Sequence, residues 1–210
     1  MLPLMKMNDR ENRALDVVFR GSVTVRDWAI DAQMTLTAIP NPLYGTNNAA
    51  TTIPQQKEFA IHSGFYHYLF GILDKDGENK QSKYDQIMAN VRTLLNRHPE
   101  YSIRTTGHSL GGALATLFAF HIVQEKDIKL PVLCITFAAP KPGNVGFARA
   151  FQELELQKKI VCLRVSNHND VIPQIPDRLT CVTFLCQDAI FRQVRKALSF
   201  DSLRCFALLC

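Results

Sequence analysis

The stretch GHSLG at residues 107–111 constrains the fold of this chain more than any other feature. It lies between a β-like run, YSIRTT at 101–106, and a run of small and apolar residues, LGGALATLFAFHIVQ at 110–124. A G-x-S-x-G match arises by chance about 0.02 times in a chain of this length and composition. A strand that leads through such a turn into a helix predicts a nucleophile elbow with Ser109 at its tip.

The glycines of this turn have a steric function. Side chains at the positions that flank Ser109 would collide with the neighbouring strand and helix. The helix that begins at Leu110 directs backbone N–H groups at the place where an oxyanion would form. The alternative interpretation is a glycine-rich turn that only opens a tightly packed helix.

A serine hydroxyl is a weak nucleophile until a base accepts its proton, so the elbow predicts partner residues elsewhere in the chain. In α/β-hydrolases the order along the chain is serine, acid, histidine. Asp170 is the best candidate for the acid because it follows a β-like run and lies in a loop stiffened by Pro173 and Pro176. Asp177 is the weaker alternative, and a purely turn-forming role is the other interpretation of Asp170.

β-like and helix-like stretches alternate along the chain, which predicts an α/β fold with a mainly parallel sheet and helices on both faces. The 210 residues, 47% hydrophobic and 20% charged, predict one globular domain over 1–210. No apolar stretch has the length of a membrane span, and no signal-peptide core is visible. A loop is predicted at 37–56. Strands are predicted at 14–19, 58–62, 101–106, 131–139 and 159–166, and helices at 24–34, 65–73, 82–98, 110–124 and 145–154.

Charge and cysteines add little to the functional prediction. The net charge of +5 comes from scattered basic residues, which mildly favours an anionic surface as partner, and no nucleic-acid motif is present. Cys134 and Cys162 lie inside apolar β-like runs, which predicts buried structural thiols. The other four cysteines enclose mostly apolar residues, without the spacing of a zinc site, so no metal is predicted.

Five stretches resemble the class 3 (fungal-type) lipase family, in the family's order, and they cover residues 15–177. The resemblance implies an α/β-hydrolase domain, apparently truncated at both ends, whose tail at 178–210 is unmatched. It also implies cleavage of acylglycerol esters at a lipid–water interface, without metal, cofactor or a specific protein partner. The family has secreted and intracellular members, so no location is predicted. The stretches are VVFRGS followed by DWAID (17–31), IHSGF (61–65), GHSLGGALA (107–115), FAAPKPGNVGFA (137–148) and VSNHNDVIPQIP (165–176).

The resemblance also implies roles for individual residues. Ser109 would be the nucleophile and Asp170 the acid that orients a histidine. Ser22 and Leu110 would each supply a backbone N–H to the oxyanion hole, with the Ser22 hydroxyl as a possible third donor.

Residues 23–34 match the lid of the family, a helix that covers the active site. Trp28, the only tryptophan, would cover the site in water and contact lipid when the lid opens. A core-packed surface helix would show the same apolar pattern and is the alternative interpretation.

The predicted base is missing, because no histidine follows Asp170 and the family's catalytic histidine lies downstream of the acid. The side chain of His108 should point away from Ser109, and His168 is poorly placed two residues before the acid. His62 is expected to brace the core near the elbow. The histidines are His62, His67, His98, His108, His121 and His168.

Three interpretations of the missing histidine remain open. The chain is a truncated or mis-spliced lipase, a pseudo-enzyme that keeps the fold, or an enzyme with an unusual base. The rival function is a non-catalytic lipid-surface or partner-binding module, which would use the same cleft and the Trp28 helix. A serine peptidase of related fold is a third hypothesis without a distinguishing feature in the sequence.

Overall fold

The computed structural model describes residues 4–9, 13–21, 35–45, 56–72, 81–167, 170 and 172–174. A short 3-10 helix, Ile172–Gln174, follows the last described strand. The strands are β1 Leu4–Asp9, β2 Ala14–Phe19, β3 Leu36–Pro40, β4 Glu58–His62, β5 Ser102–His108, β6 Val132–Phe137 and β7 Ile160–Val165; the helices are α1 Ser63–Phe70, α2 Lys83–Arg97, α3 Leu110–Ile122 and α4 Val145–Leu156.

The larger sheet has the order β1-β2-β5-β6-β7. β1 pairs antiparallel with β2, and the other neighbours are parallel. The prediction of a mainly parallel sheet is therefore confirmed. Because parallel strands all end at the same edge, the loops that follow β2, β5, β6 and β7 lie together at one edge of the sheet.

One face of this sheet is buried and the other is only half-buried. Val17, Thr105, Cys134 and Cys162 are register partners in one row across β2, β5, β6 and β7. The first three are completely buried, whereas Cys162 is partly exposed. Side chains alternate between faces along a strand, so the residues next to this row point to the opposite face. On β6 and β7 those residues are half-buried or, at Val161, 50% exposed.

Helix α3 forms the centre of the core because its residues are small or apolar. Nearly every side chain from Gly111 to Phe120 is buried. The helix packs against β2, β5 and β6, and the ring of Phe118 lies 5.4 Å from that of Phe19. Phe120 contacts Phe147 of α4 at 5.1 Å. Such a helix leaves little freedom for its first turn, which Ser109 immediately precedes.

Helix α2 follows the sequence prediction closely. The Ser82 hydroxyl accepts from the N–H of Asp85, and the Asp85 carboxylate accepts from the N–H of Ser82. This capping box fixes the start of the helix. The predicted apolar stripe is buried at Ile87, Met88 and Val91.

Two strands were not predicted. β3 lies within the predicted loop at 37–56 and pairs antiparallel with β4, so the loop prediction is wrong at its start. β1 alternates apolar and polar residues, LMKMND, in a segment for which the sequence analysis predicted no element. In both cases pairing with a neighbouring strand satisfies the backbone where local propensity is weak.

Two further predictions concern cysteines and the membrane. Cys134 is completely buried and Cys162 is half-buried, and both thiols are free. Among the residues that the structure describes, no helix is long and apolar enough to cross a bilayer.

Candidate active site

Ser109 lies on a sharp, strained bend between β5 and α3. Its backbone angles are φ 54° and ψ −126°, a region that residues other than glycine rarely adopt. The bend is held because the Ser109 N–H donates to the carbonyl of Phe137 at 2.9 Å. The Ser109 carbonyl in turn accepts from the N–H of Gly112 at 2.9 Å. This is the geometry predicted for a nucleophile elbow.

The glycines around Ser109 are required by backbone contacts. A Cβ atom on Gly107 would collide with the backbone of Gly111, and one on Gly111 would collide with the carbonyl of Phe19. A Cβ on Gly112 would lie 2.6 Å from the Cβ of Ala139. The elbow is thus pressed against β2 on one side and against the loop after β6 on the other.

The hydroxyl of Ser109 is buried and has no hydrogen-bond partner within the described part of the chain. The residue is 1% exposed, and its Oγ atom contacts no donor or acceptor there. An unpaired buried hydroxyl costs about 1–3 kcal/mol, so proteins rarely retain one without a functional reason.

Of the two residues predicted to form the oxyanion hole, only Leu110 lies within the described part of the chain. Leu110 is the first residue of α3, so its N–H has no acceptor within the helix. Ser22 lies outside the described residues, as does Trp28 with the predicted lid. The chain that leads to Ser22 is described as far as Gly21, and its Phe19 and Arg20 backbone packs directly against Gly111.

Asp170 follows β7 at the same edge of the sheet as Ser109, with β6 between their two strands. The Asp170 N–H donates to the Asn167 carbonyl at 3.1 Å, and its Oδ1 accepts from the N–H of Ile172 at 3.0 Å. These bonds make a local turn of the kind that aspartate often stabilises, so both interpretations of Asp170 fit this geometry.

The sequence did not single out Arg164, which the structure places between the Asp170 loop and the loop after β6. The residue is 6% exposed, and its Nη2 donates to the carbonyls of Ala139 at 2.6 Å and Pro173 at 3.0 Å. Burial lowers the pKa of Arg164 to about 10, with smaller opposing effects of Cys162 and Asp170. An arginine inside the apolar run IVCLRV was the signal that could have identified it.

None of the histidines that the structure describes bonds to the Ser109 hydroxyl. His108 ends β5 with an exposed side chain. His62 is buried, its Nδ1 accepts from the N–H of Gly64 at 3.2 Å, and its backbone N–H donates to Pro142 at 3.0 Å. Burial lowers the pKa of the His62 imidazole. His62 therefore braces the start of α1. His168 and Asp177 lie outside the described residues.

A mainly parallel sheet with a strained serine between a strand and a glycine-bounded helix defines an α/β-hydrolase. The sequence model of the family "Lipase (class 3)" matches residues 16–180. The chain belongs to the class 3 lipase family.

Curated relatives include two plant proteins of Arabidopsis thaliana. The chain is 31% identical over 172 residues to the chloroplastic galactolipase DONGLE, and 33% identical over 175 residues to phospholipase A1-IIgamma. Both matches cover 78% of this chain but only 34% and 39% of the relatives. The chain thus spans less than half the length of the relatives that it matches.

Solved structures confirm the fold. The lipase from Rhizopus microsporus var. chinensis matches with a TM-score of 0.60 at 23% identity, over 82% of this chain and 51% of that chain. A triacylglycerol lipase from Penicillium expansum matches with a TM-score of 0.61 at 22% identity, over 82% and 57%.

Proposed function

We propose that this chain is a serine hydrolase domain, extending over residues 1–210, that cleaves carboxylic esters of lipids by acyl transfer. The observation that carries the proposal is the backbone of Ser109 at φ 54°, with a buried hydroxyl that has no partner among the described residues. Strain of this kind costs about 1–3 kcal/mol and accumulates at functional sites.

Acyl transfer at Ser109 takes place in the following order. The Ser109 Oγ attacks the ester carbonyl carbon, and the resulting oxyanion accepts hydrogen bonds from the N–H groups of Leu110 and Ser22. A histidine oriented by Asp170, which the family pattern places beyond the acid, would take the serine proton and return it to the leaving alcohol. Water then releases the fatty acid from Ser109. Loss of one oxyanion donor would slow the reaction by about 10²–10³.

The names of the relatives indicate the substrate class. A galactolipase, a phospholipase A1 and a triacylglycerol lipase are all named for lipids as substrates. We assign a lipid ester at a lipid–water interface to this chain, with Trp28 in the segment 23–34 as the residue that covers the site. No metal or cofactor has a role in these steps.

The missing catalytic base limits the rate of the proposed reaction in this chain. The 210-residue sequence has no histidine after His168, whereas the family pattern takes its base from beyond the acid. An oxyanion hole and substrate binding without a complete triad retain only about 10³–10⁴-fold catalysis over water. We therefore expect slow acylation of Ser109 by this chain.

A fluorophosphonate probe with mass-spectrometric mapping tests this function. Ser109 should be labelled slowly in the wild type and in Ser102→Ala, and not at all in Ser109→Ala. Ser102 is a suitable control because it lies half-buried at the start of β5, the strand that leads to Ser109. Equal labelling of Ser109→Ala and wild type, or none in either, would contradict the proposal.

The apolar residues around Trp28 in the segment 23–34 favour a second candidate, a non-catalytic lipid-surface module. This module would bind phospholipid vesicles through the Trp28 segment without reacting with the probe. Vesicle binding by both the wild type and Ser109→Ala, together with unlabelled Ser109, would select it over the hydrolase.

A further inference from the structure

Arg164 is a buried charge with an unusual set of partners. A guanidinium that is withdrawn from water is unfavourable unless its donors are satisfied. One of its nitrogens, Nη2, holds two carbonyls, those of Ala139 at 2.6 Å and of Pro173 at 3.0 Å. These carbonyls belong to two different loops, one after β6 and one after β7, both at the edge of the sheet that carries Ser109.

The first of these loops contacts the elbow. Ala139 is 1% exposed and lies so close to Gly112 that a methyl group on the glycine would be 2.6 Å from the Ala139 Cβ. Gly112 is in the first turn of α3 and donates its N–H to the Ser109 carbonyl. Ala138, just before, has the unfavourable φ of 48° and is held by its N–H bond to Val165 at 2.8 Å.

The second loop contains the acid. Pro173 follows Asp170 by three residues, and the Asp170 turn is closed by the N–H of Ile172. The negative charge of Asp170 also interacts with the positive charge of Arg164. Contacts therefore run continuously from the Asp170 loop through Arg164 and Ala139 to Gly112 and the elbow.

We propose that Arg164 is a positioning residue, which fixes the Asp170 loop relative to the Ser109 elbow by holding the Pro173 and Ala139 carbonyls together. It touches no reacting atom and acts through the backbone of both loops. The functional part of this inference rests on the proposed hydrolase activity, whereas the positioning itself does not.

Amide hydrogen exchange of the full chain, measured by NMR, tests the positioning without any activity. In Arg164→Met, which keeps an unbranched apolar stem but is shorter and removes the donors, exchange should rise about tenfold or more at the amides of Ala138, Asp170 and Ile172. Exchange at Val91 in α2 should not change. Unchanged exchange at the three loop amides, or an equal rise at Val91, would overturn the proposal.

Arg164→Lys is the matched variant, because it keeps the charge and one nitrogen on a shorter side chain. It should restore part of the protection, giving exchange between that of the wild type and that of Arg164→Met. If Arg164→Met fails to fold, Arg164→Lys decides: a rise confined to the three loop amides supports the proposal, and exchange equal to the wild type overturns it.

Fluorophosphonate labelling then tests the functional consequence. Arg164→Met should slow labelling of Ser109 about tenfold, and Arg164→Lys should recover part of the rate. Labelling of Arg164→Met at the wild-type rate would overturn this functional link. An unlabelled wild type would remove the hydrolase function, and amide exchange would still decide the role of Arg164.

Discussion

Ser109 has two features that lower the stability of the fold at a single residue. A positive φ and a buried hydroxyl without a partner in the described region both raise the free energy of the folded state. The backbone bond to Phe137 and the packed first turn of α3 hold the residue in place regardless. A residue that served only to open the helix would be replaced by glycine or alanine at no loss.

Two substitutions separate strain from the buried hydroxyl. Ser109→Ala removes the hydroxyl alone and should raise the free energy of unfolding by about 1 kcal/mol. Ser109→Gly also relieves the backbone strain, and the gain should reach about 1–2 kcal/mol after the larger unfolded-state entropy of glycine is subtracted. Urea unfolding at neutral pH measures both.

The control is Ser102→Gly in the same strand, where the chain is extended and glycine brings only an entropic cost. That variant should lose about 0.5–1 kcal/mol. A loss of stability in Ser109→Ala and Ser109→Gly would mean that the serine is a structural residue.

The sequence predicted the elbow well because its chemistry is local. Gly107, Ser109 and Gly111 are spaced by the sterics of one turn, and the structure contains the contacts that require them. Arg164 was missed because its partners, Ala139 and Pro173, are 25 and 9 residues away and are backbone carbonyls, which leave no trace in side-chain patterns.

At the scale of elements, one partly buried titratable group on α3 and one on α4 make the stability depend on pH. The ring of His121 lies 4.5 Å from that of Phe70 and 5.4 Å from that of Phe120, and burial lowers its pKa to about 4. On α4, burial raises the pKa of Glu155 to about 7, an effect partly offset by the hydrogen bond from the Cys162 backbone.

These two shifts have opposite consequences. His121 binds a proton more readily in the unfolded chain, so its contribution is complete above pH 6.5 and is lost as the pH falls towards 4. His121→Leu should remove up to about 3 kcal/mol of this pH dependence. Urea unfolding at pH 4.5 and pH 7 measures the difference.

His67→Leu on the exposed side of α1 is the matched control for the loss of an imidazole. Glu155→Gln should remove a pH dependence of the opposite sign. The partly buried carboxyl of Glu155 stays neutral below its ordinary pKa of 4.5, and the free energy of unfolding falls as the pH rises from there to about 7. An unaltered slope between pH 4.5 and 7 in His121→Leu would show that its ring is hydrated.

Element types were predictable wherever the chain has a strong period or cap. α2 has both an apolar stripe and the Ser82 cap, and its predicted and observed bounds differ by one residue at each end. β3 was not predictable because LTAIP is short and ends in proline, and it becomes a strand only through its pairing with β4. Local sequence cannot report a partner that lies elsewhere.

At the scale of the molecule, the sheet is covered unequally. The face that carries Cys134 is buried beneath α3, whereas Leu133, Ile135 and Phe137 on the other face are only half-buried. Val161 on β7 and Leu156 at the end of α4 are 50% and 54% exposed. Exposed apolar surface of this kind promotes association between molecules.

Val161→Thr should lower light scattering and dye binding to apolar surface while changing the free energy of unfolding by less than about 0.5 kcal/mol. The side chain keeps its shape and strand preference but gains a hydroxyl. Val132→Thr is the matched control on β6, since Val132 is completely buried. There the same change should cost about 1–3 kcal/mol, because the hydroxyl is withdrawn from water. An equal cost at both positions would show that Val161 is covered in solution.

The pairing of β2 with β5 has a consequence for how this chain is made. The ion pair between Asp16 and Arg104 joins strands that are 88 residues apart, and the elbow closes onto the end of the earlier strand. A ribosome adds about 5–20 residues per second, so the earlier strand waits roughly 4–18 s for its partner, protected on one edge only, by β1. Ser109 therefore becomes ordered only after β2 and β5 have paired. During synthesis, the onset of its reactivity would report when that pairing is complete.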